Sequence, residues 1–600
     1  MAEQAQDKGH RGRFRATDWQ PVLQTRGPFL CGGGFANNTV SGSFIAESTS
    51  YISFLSYYTD GGCLELYTNN VQSASTNNDH TIVDAACTTI GSGNGTLADM
   101  VNDGTITVSS DTTVDLTNYT GIGSLINDGT LAIAVSSTDM ANLTNNGSLL
   151  ISSGTDTFNV ANTGSIVISS GANVSLNSYT GSGSLVNNGT LTVTTNVNFG
   201  AITNNGTMIV SSAVDTWLTN YTSSGSMVIY GVLYVSGSCS VSTITIEPSG
   251  ALAVYSNVPA LNANIIDNGN LDFSTSTEFS GSLSGTGDVW YYQTGTNEVF
   301  MAENGGGFTG TFAFYPLGNL GSVQIDSATA LGTGGASVAL YSGTLDLNGY
   351  SPTFIMLNGN SCPSTITNTS LTTNAIVNLE YNPGTDYCGV LGANVVNGPS
   401  ATVGINFSNL NPSAGIVEEY IAGNDTYTGP TTVGASCYFT MWASEFYSPI
   451  TNNGILCFNA SCNDYAGIVN NNQISFDSGT SVISGVIGGT GCVSVSAPTT
   501  FQAMNTYTGG TDIYGGTLTL SGHASIADSY LVSIETGCEL IYAENAGFTE
   551  TETNQLNGAG QIVDNSSPNS TINYQAVDAA FLASGGSFRN NTGNPSALLF

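Results

Sequence analysis

The stretch LVNNGTLTV, residues 185–193, carries the pattern that decides the fold, because variants of it recur through the first half of the chain. The variants are VNDGTITV, LINDGTLAI, LTNNGSLLI, VANTGSIVI and ITNNGTMIV. Each consists of an apolar pair, an Asn-x-Gly turn and an alternating strand. The copies therefore belong to one repeating structural unit.

The Asn and Gly residues of these turns are the candidate structural residues of the chain: Asn102, Gly104, Asn127, Gly129, Asn145, Gly147, Asn162, Gly164, Asn187, Gly189, Asn204 and Gly206. The steps between successive glycines are of two kinds, short ones such as Gly129 to Gly147 and long ones such as Gly164 to Gly189. A longer period of 60 is superimposed, since residues 102–131 and 162–191 align without a gap and are identical at 17 of 30 positions. Periods of about 20 residues are typical of a solenoid, in which each coil buries its apolar face against its neighbours.

The chemistry of the turn also favours this fold. Glycine adopts positive φ without a steric penalty, and we expect this conformation at Gly129, Gly147, Gly189 and Gly206. In a parallel solenoid, equivalent Asn side chains would lie about 4.8 Å apart and could hydrogen-bond as a ladder. The alternative is a type I′ hairpin at each turn, which would give an antiparallel sandwich or barrel.

Charge is distributed unevenly along the chain. Residues 1–26 carry five basic and three acidic groups, net +2, whereas residues 27–600 carry one basic and 39 acidic groups, net −38. A body with one cation cannot neutralise a row of phosphates, which argues against nucleic-acid binding. No run of about 18 apolar residues occurs, so we expect no membrane insertion by this chain.

The basic residues near the N-terminus form one segment: Lys8, Arg11, Arg13, Arg15 and Arg26. We interpret it as an assembly arm, because the acidic surface of a neighbouring subunit would attract it within a Debye length of about 10 Å at 0.1 M salt. A leader removed at Arg26 and a remnant without a role are alternatives that the sequence leaves open.

The second half of the chain uses different repeat phrases. They are SGSLSGTGDV at 280–289, ALGTGGASVALYSGTLDLNGY at 330–350, ISGVIGGTGCVSV at 483–495 and NTYTGGTDIYGGTLTL at 505–520, with NDTYTGPTTV at 424–433 as a weaker copy. Over about 250 residues these phrases resemble the passenger repeats of autotransporters, the autotransporter-associated β-strand repeats. The resemblance implies a right-handed parallel β-helix displayed outside the cell.

Two features of that family are not visible in this sequence. The first residues show no apolar signal region, and the segment after residue 560 shows no amphipathic barrel strands. The surface on which the solenoid is displayed therefore stays open between a cell and a virion.

Together, the repeats and the resemblance predict an all-β protein, a right-handed parallel β-solenoid with an irregular N-terminal cap. We expect five segments: a basic arm or leader (1–27), the cap (28–100), a solenoid with the 60-residue superrepeat (101–280), a solenoid of autotransporter-like repeats (281–560) and a C-terminal segment (561–600).

The residue types needed for catalysis are scarce. A lyase of this fold needs a basic residue, and the body offers only Arg589. A hydrolase needs two carboxylates about 5–9 Å apart. Asp103 and Asp128 occupy equivalent turn positions, but later turns carry Asn or Thr there. We expect no catalytic residues, no metal site and no cofactor.

The 11 cysteines are an odd number at irregular spacing. This pattern favours free buried thiols, and the alternative is that one thiol is left to bridge subunits.

We therefore expect a structural surface protein, a self-assembling fibre or coat component with an adhesive role, located outside the cell or on a particle surface. Its expected partners are copies of itself, with surface glycans as further candidates. A glycan-binding adhesin and a polysaccharide hydrolase are the alternative functions. Exposed aromatic residues in a row on one solenoid face would favour the adhesin, and paired carboxylates in a groove would favour the hydrolase.

Overall fold

In a computed structural model, the chain is described over residues 105–110, 112–120, 123–134, 138–199, 202–255, 258–275, 277–292, 298–301, 304–315, 321–332, 336–359, 364–381, 389–421, 425–442, 445–574, 579–593 and 598–599. Before residue 103 only the backbone of eight strands is described: Val22–Gln24, Asn38–Val40, Phe44–Ser48, Ile52–Ser53, Tyr57–Thr59, Cys63–Gln72, Ile82–Asp84 and Cys87–Asn102. The five basic residues of the arm and Gly104 lie outside the described residues.

Over the residues that the structure describes, the protein is an all-β parallel β-solenoid of about 22 turns, with about 1% helix. Neighbouring strands pair in parallel; Thr130–Ile133, for example, pairs in register with Ser148–Ile151, which lies one coil later. The predicted parallel solenoid is therefore confirmed. The hairpin alternative is wrong, because hairpins pair their strands antiparallel.

The chain divides into two compact units, unit 1 at Met1–Asn264 and unit 2 at Ile265–Phe600. Each complete coil of unit 1 contributes a strand segment to three sides in turn. Side one holds the first halves of Gly154–Asn162 and Ala172–Thr180, then Thr190–Val193, Thr207–Val210, Ser226–Ile229 and the end of Val232–Ile246. Side two holds Thr105–Val108, Ser124–Asn127, and the second halves of Thr138–Asn145, Gly154–Asn162 and Ala172–Thr180. Side three holds the first half of Thr112–Thr120, then Thr130–Ile133, Ser148–Ile151, Ser165–Ile168, Ser184–Asn187 and Ile202–Asn204.

The core of unit 1 follows from the alternation within its four-residue strands. Ile106, Val108, Leu131 and Ile133 point inward and are at most 1% exposed, whereas the Thr and Ala residues between them remain partly accessible. Each such apolar side chain contributes about 1.5–3 kcal/mol when it leaves water. Successive coils bury these residues against one another, so no single coil has a core of its own.

The unequal steps between the turn phrases have a structural cause. The short steps are complete coils, which place Asn145 beside Asn127 and Asn162 beside Asn145 on side two. The long step that follows is one coil plus one further side. Asn187 therefore lies on side three, beside Ile168. The 60-residue superrepeat thus moves the turn phrase to the next side of the coil.

Unit 2 is built on one long stack of parallel strands: Asn270–Phe273, Asp288–Tyr291, Thr311–Phe314, Ser337–Leu340, Met356–Gly359, Gly389–Leu391, Val417–Ile421, Cys437–Met441, Ile455–Phe458, Gln473–Phe476, Cys492–Val495, Thr511–Ile513, Leu531–Ile534 and Gln555–Gly558. Shorter stacks form its other sides. They run from Glu278–Ser280 to Asn394–Val395, from Thr353–Phe354 to Ile487–Gly488, from Glu445–Phe446 to Ser587–Asn590, and from Thr549–Glu552 to Leu598–Leu599.

Two features protect the last described coils of unit 2. Helix α1, Ala579–Ala583, packs against Gln555–Gly558, and its Phe581 is fully buried with its ring centroid 5.6 Å from that of Phe588. Arg589 lies on the edge strand Ser587–Asn590, where a charged side chain opposes pairing with another chain. Within the described residues, no helix is long and apolar enough to span a membrane.

The turn glycines correct one expectation. None of Gly129, Gly147, Gly189 and Gly206 has φ in the left-handed region. A Cβ on Gly206 would instead lie 2.0 Å from the carbonyl oxygen of Gly189, and a Cβ on Gly147 would lie 2.0 Å from that of Gly129. The expectation of positive φ is wrong because the constraint is not local. The backbone of the preceding coil passes too close for any side chain.

Replacing Gly206 with Ala should destabilise unit 1 by about 1–3 kcal/mol, because the added methyl group forces two stacked turns apart. Thermal denaturation measures this as a lower midpoint. The exposed neighbour provides the control, since Asn205→Ala adds no atom between the coils. Equal melting of the two variants would show that the glycine is not required for close approach.

Candidate functional site

The turn asparagines form buried ladders. On side two, Asn127 Nδ2 donates to Asn145 Oδ1 over 2.7 Å, and Asn145 Nδ2 donates to Asn162 Oδ1 over 2.7 Å. Asn162 ends this ladder by donating to the Tyr179 hydroxyl over 3.2 Å. All three amides are fully buried. Each Asn therefore satisfies a neighbour one coil away, which a buried amide requires.

A second ladder of the same kind lies on side three. Asn187 Nδ2 donates to Asn204 Oδ1 over 2.7 Å, and Asn187 Oδ1 accepts the backbone N–H of Gly189 over 3.1 Å. In unit 2, Asn452 and Asn470 repeat the contact over 2.9 Å. The side chain of Asn102 is not described. The predicted ladder is confirmed for the remaining five turn asparagines of unit 1.

The residue after each ladder Asn forms an outer, exposed row. Asn146 Nδ2 donates to Asp128 Oδ1 over 2.8 Å, and the Thr163 hydroxyl donates to Asn146 Oδ1 over 2.7 Å. The carboxylate of Asp128 therefore faces an amide here. Asp103, the other member of the candidate carboxylate pair, lies outside the described residues.

The Tyr-Thr phrases of unit 2 form a buried hydroxyl network. Tyr507 and Thr511 hydroxyls lie 2.7 Å apart, and Thr511 lies 3.0 Å from the Ser529 hydroxyl one coil later. The weaker copy repeats this arrangement at Tyr427, Thr431 and Ser448, with both distances 2.8 Å: Tyr427 to Thr431 and Thr431 to Ser448. The phrase that carries the autotransporter resemblance thus has a structural role in this chain.

Several buried carboxyl groups stand where the repeat elsewhere uses an amide. Asp425 Oδ1 accepts the Val395 N–H over 2.9 Å, as Asn505 Oδ1 accepts the Ile487 N–H over 2.9 Å in the other Tyr-Thr copy. Burial raises the pKa of Asp425 to about 7. Asp267, which accepts the Gly269 N–H as Asn187 accepts that of Gly189, also has its pKa raised to about 7 by burial.

The described cysteines are all free, and five of the six are buried: Cys239, Cys437, Cys457, Cys462 and Cys538. Burial raises the pKa of Cys239, Cys437, Cys457 and Cys462 to about 12, so these thiols stay protonated and unreactive at neutral pH. Cys492 is exposed. Across the described residues, no group of three or more His, Cys, Asp or Glu side chains is placed to hold a metal ion.

Unit 2 carries a row of outward aromatic side chains, which we call the aromatic row: Trp290, Tyr292, Tyr315 and Tyr341. The three tyrosines each follow a strand of the long stack, on consecutive coils, and each donates its N–H to the preceding coil. Ring centroids lie 5.7 Å apart for Trp290 and Tyr292, 6.4 Å for Tyr292 and Tyr315, and 4.3 Å for Tyr315 and Tyr341. Tyr315 is 44% exposed although a ring lies on either side of it.

Unit 1 carries a shorter row on the stacked strands Asp215–Ser223, Val232–Ile246 and Ala251–Val254. The rings of Trp217 and Tyr234 stack with centroids 5.2 Å apart, and Tyr255 lies 5.8 Å from Tyr234. The sequence alone did not predict either aromatic row. In unit 2 the tyrosines are unevenly spaced and follow no fixed period. What these tyrosines share in the sequence is a position directly after an alternating strand.

No protein family, no curated protein and no solved structure matches this chain. The fold and the arrangement of the residues described above therefore carry the functional argument.

Replacing Asn145 with Ala should destabilise unit 1 by about 1–3 kcal/mol, because it leaves the buried amides of Asn127 and Asn162 without their partner. Asn146→Ala is the matched control, since it removes an exposed amide from the same turn. We expect the control to change the unfolding free energy by no more than about 0.5 kcal/mol. Equal unfolding free energies for the two variants in chemical denaturation would show that the ladder does not stabilise unit 1.

The buried carboxyl groups should make stability fall as pH rises. Asp425 has an ordinary pKa near 4 when unfolded and about 7 when folded, so the folded chain holds a proton that the unfolded chain has released between these values. Its stabilising contribution is complete below about pH 4 and is lost as pH rises through 7.

Asp425→Asn should therefore raise the thermal midpoint at pH 8 and leave it nearly unchanged at pH 4. The reciprocal variant Asn505→Asp should lower the midpoint at pH 8 more than at pH 4. Midpoint shifts that are independent of pH in both variants would contradict the assignment of Asp425 as a buried titrating group.

Proposed function

We propose that this chain is a structural protein of an exposed surface, a fibre or coat component that assembles with copies of itself. The observation that carries the proposal is the use of the repeat residues. The Asn-x-Gly and Tyr-Thr phrases place their Asn, Tyr and Thr side chains in the buried stack, where Asn bonds to Asn and Thr511 bonds to Ser529 from coil to coil. The motif residues of the chain thus stabilise the solenoid.

The composition supports the same role. Charged residues make up 8% of the chain, and hydroxyl and amide side chains form its outer rows. The near absence of basic residues after position 26 suits exposure outside a cell or on a particle, because trypsin-like proteases have almost nothing to cut there. We place the protein at a cell surface, as the resemblance to autotransporter passengers implies, with a virion surface as the alternative.

An adhesive role is the second candidate function. The aromatic row of unit 2 is the feature that we expect of a glycan-binding solenoid, and exposed aromatic rows are uncommon on surfaces without a partner. For the hydrolase, the turn carboxylate Asp128 that the sequence offered as a candidate faces the Asn146 amide instead of a second carboxylate.

The N-terminal segment supplies the means of assembly in this proposal. Its net charge of +2 is opposite in sign to the −38 of residues 27–600, so the arm of one subunit can be held by the acidic surface of another. Salt should weaken this contact, because it depends on charges near the surface.

The full-length protein should assemble less at high salt, and deletion of residues 2–26 should weaken or abolish assembly already at low salt, without a change in the thermal midpoint of the solenoid. Negative-stain imaging and sedimentation at low and high salt measure assembly directly. A full-length variant in which Gln replaces the five basic residues of the arm keeps the length of the arm and removes its positive charge. Normal assembly of both variants at every salt concentration would overturn the clasp, and a mature particle that begins at Gly27 would identify the segment as a leader.

A further inference from the structure

We propose that the aromatic row, together with Asp272, is a binding site for an uncharged polysaccharide chain that extends from coil to coil of unit 2. The inference rests on the adhesive role proposed above and is independent of self-assembly. It assigns a ligand class to residues that the fold does not require to be aromatic.

The exposure of the rings is the first argument. Trp290 is half-buried, and Tyr292 and Tyr315 are exposed. Contacts between the rings cover part of their surface, and such pairs also stabilise a sheet. The remaining apolar surface lies in one continuous line on consecutive coils, which is the signature of a binding surface rather than of scattered exposure.

The shape of the surface is the second argument. The strand register aligns Trp290 with Ala313 and Ala339 on the next two coils. Ala313 is buried, so the accessible apolar surface here is the line of rings that forms the aromatic row. A single line of rings suits a linear chain, whereas a protein partner needs a broad patch of about 800 Å² on each side.

The polar groups of the site point to a sugar. Asp272 pairs with Trp290 in the strand register, and it acts electrostatically on Tyr292. Sugar rings combine apolar C–H faces, which pack on aromatic rings, with hydroxyl edges, which donate to a carboxylate. Burial raises the pKa of Asp272 to about 6, so its carboxylate is available as an acceptor at neutral pH.

Charge narrows the ligand class further. Arg589 is the sole basic residue after position 26, and it lies on the last strand of its stack, far along the chain from the row. An anionic glycan would meet Asp272 and an acidic body without a cation to pair with. An uncharged glycan meets no such repulsion.

Two measurements test the site. The first is retention of the full chain on insoluble cellulose and chitin, and the second is affinity electrophoresis in soluble uncharged glucan and in alginate. We expect retention on at least one uncharged glycan, insensitive to salt, and none on alginate. Trp290→Ala and Tyr315→Ala should weaken binding about tenfold, since each removes one ring contact. Tyr315→Phe, which keeps the ring, should bind within about twofold of the parent chain.

Tyr447→Ala is the matched control, because Tyr447 and Tyr465 form another exposed stacked pair in unit 2, with ring centroids 5.0 Å apart. It should bind as the parent chain does. Sedimentation of the same samples shows whether assembly is affected and whether the variants remain folded. Absence of binding to every uncharged glycan, equal binding by all variants, or salt-sensitive binding to alginate would overturn the proposal. Loss of self-association in Tyr315→Ala without any glycan binding would assign the row to contacts between copies.

Discussion

The hydrogen bond between one asparagine and the next, one coil away, is the contact on which the solenoid of unit 1 depends. A buried amide has both donors and acceptors to satisfy, and within a single coil Asn145 has too few partners. Its amide is satisfied only when Asn127 and Asn162 lie in register on either side. A slip of one residue would move the amide to the outer face and an apolar residue out of the core. The ladder thus fixes the register as well as adding stability.

The close stacking that the ladder requires also explains residues that make no side-chain contact. Gly206 is needed because the backbone of the neighbouring coil lies 2.0 Å from where its Cβ would be. The superrepeat changes the side on which the ladder lies: Asn162 belongs to the ladder on side two, and Asn187 belongs to the ladder on side three. Where the chain places Asp in an amide position, as at Asp267 and Asp425, the same burial raises the pKa of the carboxyl group.

Much of the fold of unit 1 could be predicted from its sequence, because a strict repeat exposes its register directly. The ladder residues Asn127, Asn145, Asn162, Asn187 and Asn204 follow from that repeat and are confirmed. The φ of the turn glycines could not be predicted, since it depends on a neighbouring coil rather than on the turn. The aromatic row could not be predicted from the sequence either. Its members become neighbours only through strand pairing in unit 2, where insertions between strands remove any constant spacing.

The central claim, that equivalent turn residues of successive coils lie side by side, can be tested by a disulfide between the outer-row positions. Asn146→Cys combined with Thr163→Cys places two thiols at positions whose native side chains are 2.7 Å apart. Adjacent parallel strands of about 4.8 Å spacing bring Cα atoms within the range that a disulfide spans. Stacked coils predict that mild oxidation links residues 146 and 163, detected by mass spectrometry of the digested protein, while a pair at residues 146 and 188 stays reduced. A 146–188 link, or no link between 146 and 163 in the folded chain, would contradict the stacked-coil arrangement.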